Sequence, residues 1–261
     1  MTADTGVPTV VRRRTGGEHG RHHRAESSSD LAGMGAVGGV VVFNVGRLLA
    51  GALQAGGYSV ARHDVSDLGA LTAQDPWVLL TAQGIAGALT VLFALFALRP
   101  ALAVPGRGTA FGVWLVAASL MGLDNLSDAF FRLDCRAADR GCTTAAAVSS
   151  WHGTIHLVVG VISAIATIAV PFVLAARMRR ADGWRDLARP TILFGSLFFA
   201  VLVGYAALEG KAGGGWLQRA AIVLLSAGVA TLALRVCALA RSPDVDAEDS
   251  MIGLPSPLAP P

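Results

Sequence analysis

Charge is scarce in this chain. Of 261 residues, 15% are charged and 53% hydrophobic, and the mean hydropathy is +0.56. Soluble globular chains carry about 25% charged residues, so the deficit excludes an ordinary soluble domain and points to a polytopic membrane protein. Aromatic residues are also few, at 7%. Gly and Ala fill the apolar stretches instead, which suits helices that pack closely in lipid. The apolar runs show no ten-residue alternation, which excludes a membrane barrel. There is no Gly-rich phosphate motif, no redox cysteine pair and no heme signature. Only three cysteines occur, which is neither a zinc framework nor a secreted disulfide scaffold. Some thirty polar residues precede the first apolar run and no small-residue cleavage site follows a short apolar stretch, so a cleavable signal peptide is not expected.

Six apolar segments are present, at approximately 34–56, 76–98, 109–131, 151–176, 190–209 and 217–239. Each is long enough to cross a core that needs about 20 helical residues. The expected fold is an all-α transmembrane bundle of six helices over residues 33–240, between a disordered basic N-terminal tail (1–32) and a disordered acidic, Pro-rich C-terminal tail (241–261). The tail carries Arg12, Arg13, Arg14, Arg21 and Arg24 but no aromatic platform, so its expected partner is an anionic lipid surface and not nucleic acid.

Arginine placement sets an orientation. One side holds the N-terminal tail, Arg99, Arg107, Arg177, Arg179, Arg180, Arg185, Arg189, Arg235 and Arg241. The other mixes Arg62, Arg132, Arg136, Arg140, Lys211 and Arg219 with acidic residues. By the positive-inside rule both termini are expected on the cytoplasmic side of the cell membrane. Loop three then faces outward, where a Cys135–Cys142 disulfide can persist.

Ionisable groups inside a membrane are costly and each needs a partner. Asp124 and Asp128 are four residues apart near the end of segment three, and His152 and His156 are four apart at the start of segment four. Each pair therefore shares one helical face. Antiparallel packing would set Asp128 level with His152 and Asp124 level with His156, in two stacked layers. Arg47, deep in segment one, is a candidate counter-charge to Asp124. The first outer loop carries Tyr58, Ser59, His63, Asp64, Ser66 and Asp67 and is placed to fold over these layers. Four uses are open. His152, His156 and Asp128 could ligate a divalent metal such as zinc, with Asp67 or Asp124 orienting water for hydrolysis of a lipid-like substrate. Ser66 or Ser127 beside a histidine could serve metal-free acid–base or nucleophilic chemistry. The acid–histidine pairs could relay protons in the transport of a small solute. Or the pairs are interhelical hydrogen bonds that lock the outer end of the bundle. Gly84, Gly87, Gly153 and Gly160 read as close-packing positions, and Trp77, Trp151 and Trp216 as membrane-boundary residues.

Ser66-Asp67-Leu68-Gly69 after segment one, Asp134 after segment three, His152-Gly153 with His156, and Gln218-Arg219 opening segment six together resemble the bacterial and archaeal membrane proteins called domain of unknown function 998. The resemblance covers roughly residues 35–240 and implies a six-helix integral membrane bundle, with no activity to transfer. It departs at Arg132-Leu133, since family members often have Pro before the aspartate that matches Asp134. A looser similarity, by analogy only, exists to metal-dependent ceramidases and related seven-helix membrane hydrolases, which also combine Ser, Asp and a His-x-x-x-His pair.

Overall fold

A computed structural model describes residues 17–55, 57–108 and 110–241, with side chains described from residue 28 onward. Most of both expected tails, residues 1–16 and 242–261, lies outside the described residues. The described chain is all helical, with no strand. Its helices are α1 (Gly17–Leu53), α2 (Trp77–Ala101), α3 (Phe111–Ala117), α4 (Asn125–Asp128), α5 (Thr144–Ala147), α6 (Trp151–Met178), α7 (Ala188–Leu208) and α8 (Gly214–Arg241). α1 begins upstream of the first apolar run, inside the segment read as a tail; its apolar part is Ser28–Leu53.

Among the described residues five helices are long and apolar enough to cross a membrane: Ser28–Leu53, Trp77–Ala101, Trp151–Met178, Arg185–Leu208 and Gly214–Arg241. That many apolar helices mark a multi-pass membrane protein. The third apolar segment, expected as one helix over 109–131, is broken. α3 stops at Ala117, Ser119 is extended (φ −73°, ψ 172°), and a π turn at Leu120–Asp124 leads into α4. The break has local causes. The Ser119 hydroxyl donates to the Val116 carbonyl (2.7 Å), a bond that competes with helix continuation. The chain then folds so tightly that a Cβ on Gly122 would collide with the Ala117 carbonyl oxygen. The freed Leu120 N–H donates to Thr167 Oγ1 of α6 at 2.9 Å. Irregular backbone at membrane depth survives only where protein satisfies it in this way.

The helices form a closed ring. α1 packs on α2 and α8, α8 on α7, α7 on α6, and the broken segment fills the gap between α6 and α2. Small residues allow the close approaches. A Cβ on Gly46 would strike Ala82, and one on Gly87 would run into the α4 backbone at Leu126. Gly84 and Gly153 are close-packed in the same manner, against Ala129 (3.2 Å) and the Ala147 carbonyl (2.8 Å). Trp184 is fully buried and its indole N–H donates to the Ala101 carbonyl (2.9 Å), so it anchors the short-loop end of the bundle. Trp77, Trp151 and Trp216 stand exposed at the start of α2, α6 and α8, all at the opposite end.

Candidate functional site

A cavity of about 380 Å³ opens inside the ring, and all six apolar segments line it. Its walls include Phe43 from α1, Gln83 from α2, Leu202 from α7 and Ile222 from α8. Most of the lining is apolar. The ionisable groups Asp124, Asp128 and His156 lie on the broken segment and the α6 face opposite, and Ser66, Gln83, Asn125, Tyr205 and Gln218 add neutral polar groups around the wall. The helix break is what aims the acids inward.

Asp128 is buried, with a hydrogen bond on one oxygen and a charge contact on the other. Its Oδ2 accepts from Gln83 Nε2 (2.9 Å), and its Oδ1 lies 2.8 Å from His156 Nδ1. His156 Nδ1 is also 3.3 Å from the Phe131 carbonyl oxygen. Nδ1 has hydrogen-bond geometry toward that carbonyl, whereas the shorter approach to Asp128 Oδ1 is a charge contact without a hydrogen bond. Asp124 sits against Gly160 of α6, where a Cβ would make ordinary contact with Asp124 Oδ1 at 3.6 Å.

The expected layering is corrected by this geometry. Asp128 pairs with His156, not with His152, because the break and the π turn shift the acids relative to α6. His152 is stacked on the Trp151 ring (centroids 3.6 Å apart) and lies 6.0 Å from the Phe131 ring. The intended metal set of His152, His156 and Asp128 is thus divided. Among the described residues no group of three or more His, Cys, Asp and Glu side chains is arranged to hold a metal ion. Arg47 is buried but forms no ion pair with Asp124. Its Nε and Nη2 donate to Asn44 Oδ1 (3.0 and 2.9 Å), and Asn44 in turn donates to Ser226 Oγ of α8 (2.9 Å). An asparagine one turn earlier on the same helix draws the guanidinium back along α1.

Loop one (57–76) covers the cavity at the end of the bundle opposite Trp184, and Val65 and Ser66 line it there. The loop is fastened to α7 and α8. Arg219 Nη1 donates to the carbonyls of Val60, His63 and Gly215, each at 2.9 Å, and Nη2 to the Tyr58 hydroxyl. Val65 N–H donates to Gln218 Oε1 (2.7 Å), and the Tyr205 hydroxyl to Asp64 Oδ2 (2.6 Å). Burial pushes the Asp64 carboxyl up to about 6, helped by the nearby Asp67 and Glu209 carboxylates and opposed by the Tyr205 hydrogen bond and Arg219.

Loop three (129–150) lies over loop one. Arg132 donates to the Gly69 and Ala70 carbonyls, both at 2.8 Å, and Arg136 to Gln54 Oε1 and Asp139. Asp139 also accepts from Thr72. Cys135 and Cys142 are at disulfide distance, with Cα atoms 6.0 Å apart. Asp67 faces this layer and not the cavity. Its Oδ1 accepts from Ala137 N–H (3.1 Å), its Oδ2 is buried without a hydrogen-bond partner, and burial holds its carboxyl above the ordinary range. Asp134 accepts from the Ser150 amide (2.7 Å) and both Ser149 and Ser150 hydroxyls, which hold its carboxyl below the usual range and tie loop three to the start of α6.

Of the expected site residues, Asp124, Asp128, His156 and Ser66 share one cavity, whereas His152 and Asp67 point elsewhere. Gln83 and Tyr205 complete the site and were not anticipated. The signals were faint: Gln83 is a lone amide in an apolar run, and Tyr205 is one of only two tyrosines. The motif residues Ser66–Gly69, Asp134, His156 and Gln218-Arg219 all meet at this end of the bundle. A family described as "Protein of unknown function (DUF998)" matches residues 36–235, which spans this whole assembly. No curated protein and no solved structure matches the chain.

Proposed function

The chain belongs to the DUF998 family, and from that premise we propose that it is a six-segment protein of the cytoplasmic membrane, both termini inside, that hydrolyses a lipid-like ester in its central cavity. The observation that carries the reading is the Asp128–His156 contact of 2.8 Å in the wall of a mostly apolar chamber. The Phe131 carbonyl on Nδ1 fixes the imidazole's tautomer and leaves Nε2 as the base, and the Asp128 carboxylate beside the ring stabilises the imidazolium that forms. As water oxygen bonds to the ester carbon, its proton passes to His156 Nε2. The bond to the leaving alkoxy oxygen then breaks, and that oxygen takes the proton back from His156. The products are a carboxylic acid and an alcohol, and His156 ends neutral. Asp124, in the same chamber, orients the water. Ser66 is the hydroxyl that a covalent route would use instead; wild-type turnover in Ser66→Ala assigns the attack to water. Under this reading no step runs through a metal, since His152 does not line the cavity that holds Asp128 and His156.

The test is purified protein in nanodiscs with a panel of lipid esters, free acid being measured by mass spectrometry. Release that persists in chelator and drops at least about a hundredfold in Asp128→Asn supports the reading. No release from any ester overturns it. The orientation rests on arginine asymmetry. Arg140→Cys in intact cells should react with an impermeant maleimide, and reaction only after lysis overturns that topology.

A second reading has its own observation. Discontinuous helices carrying acids beside a central cavity are the way transporters build binding sites, and Asp124 follows such a break here. Proton-driven solute uptake in proteoliposomes that is abolished in Asp124→Asn, with no ester cleavage, favours it.

A further inference from the structure

Beyond the acid–histidine cavity lies a second chamber of about 230 Å³, between the broken segment, α6, α7 and α8 toward the short-loop end. Its lining is almost wholly apolar, with Val170, Leu174 and Phe194 among its walls. The chamber forms where two helices are irregular at one level. Ser119 begins the break in the third segment, and Pro171 interrupts the hydrogen-bond ladder of α6; both line it. Met121, Phe198 and Leu225 line this chamber and the acid–histidine cavity alike. They are the partition between the two spaces. Met121 is an unbranched, pliable side chain, the kind that yields to a passing chain.

We propose that the two chambers take one ligand: a molecule with a polar, ester-bearing head against Asp128 and His156 and a long unbranched acyl chain that passes Met121 into the apolar chamber. The claim rests on the reading of the first cavity as the ligand site and adds the substrate's class and direction. From His156 to Leu174, which lines the far chamber, α6 rises 18 residues (174 − 156), or about 27 Å. A short acyl chain ends before the partition and a long one crosses it. The two chambers share three wall residues inside the ring of helices, and their combined lining carries ionisable side chains only at one end. That pattern fits a single-chain amphiphile better than a compact solute.

The test uses radiolabelled octanoate and palmitate with the full-length protein in one detergent. In a micelle each chain leaves one apolar phase for another, so chain length is felt only if the protein holds the chain. Palmitate is expected to bind at least about tenfold more tightly than octanoate. Thr191→Trp and, from a different helix, Thr231→Trp should each fill the far chamber, bring palmitate down to the octanoate level and leave octanoate unchanged. Equal binding of both probes to the wild type, or blocked variants that keep the palmitate preference, overturns the two-chamber ligand while leaving the acid–histidine site standing. Undiminished affinity for both probes in Asp128→Asn and His156→Asn overturns the placement of the head group. Should a Trp variant not fold, the wild-type chain-length ratio alone decides.

Discussion

His156 is held by Asp128 at 2.8 Å, and Gln83 holds the other oxygen of that carboxylate at 2.9 Å. Three helical segments, α2, α4 and α6, therefore meet through one carboxylate. On the proposed reading packing and chemistry share this contact, so a variant must separate them. Asparagine at 156 puts an amide nitrogen near the position of Nδ1 and removes Nε2. His156→Asn should melt within about 1 kcal/mol of wild type, yet lose ester hydrolysis by about a hundredfold or more. Wild-type turnover in a folded His156→Asn protein would confine the pair to a structural role.

The break in the third segment is satisfied from α6 by one hydroxyl. Thr167 Oγ1 accepts from Leu120 N–H and donates to the Ser163 carbonyl (2.7 Å). Thr167→Val keeps the shape and orphans a buried N–H, at a cost of about 1–3 kcal/mol. Thr167→Ser should restore most of that. Thermal melts of the three proteins check the order, and Thr167→Val equal to wild type contradicts it.

Loop one is clamped by a single guanidinium. Arg219 reaches three carbonyls and the Tyr58 hydroxyl. A lysine lacks the fork that spans these acceptors, so Arg219→Lys should fail to rescue the clamp. Hydrogen exchange at residues 58–66 should rise in both Arg219→Lys and Arg219→Met, with a stability loss of about 2 kcal/mol or more. Unchanged protection in Arg219→Lys contradicts the account.

The clamp carries a pH dependence through Asp64. Its carboxyl is raised by burial to about 6 in the folded protein, and an unfolded chain returns it to the ordinary carboxylate range near 3.8. The fold thus favours the protonated form. This group's contribution is fully present below the unfolded value and is lost as pH rises through about 6. The groups facing Asp64 are Tyr205 from α7, Glu209 at its end, Asp67 from loop one and Arg219 from α8. Melting temperatures measured across mildly acid pH should fall toward neutrality in wild type, with that component absent in Asp64→Asn. Identical pH profiles for the two proteins sink the assignment.

Loop three should be redox-sensitive. A disulfide closing a loop of sequence separation 7 restricts the unfolded chain by about 2–3 kcal/mol. Mild reductant, or Cys135→Ser with Cys142→Ser, is expected to lower stability by that amount. It should also free the Ala137 N–H contact that holds Asp67, read as faster exchange at Ala137. No change on reduction contradicts this.

Much of the frame was legible in the chain. Five of the six apolar runs are long helices, because continuous hydropathy is a direct consequence of spanning lipid. The placement of Ser66 over the acids and the closeness of Cys135 to Cys142 also followed from loop length and helix direction. The third segment was misread because Ser119 and Gly122 look like packing residues in an apolar run; only the fold reveals that they turn the chain. That error moved every level prediction downstream, so His152 was paired where His156 belongs. Arg47 was misassigned for another reason. A charge search favours an acid, whereas a neutral neighbour one turn away on the same helix is nearer. Gln83 and Tyr205 carry no formal charge and escaped attention, although each binds a carboxylate of the site or its cap.

The central claim is that the His156 imidazole performs chemistry in the cavity, and chemical rescue tests it most directly. His156→Ala leaves a space the size of the lost ring beside Asp128. The account predicts that a long-chain lipid ester cleaved by wild type is left intact by His156→Ala and is cleaved again, in a saturable manner, when free imidazole is added. Undiminished cleavage by His156→Ala without imidazole would contradict it.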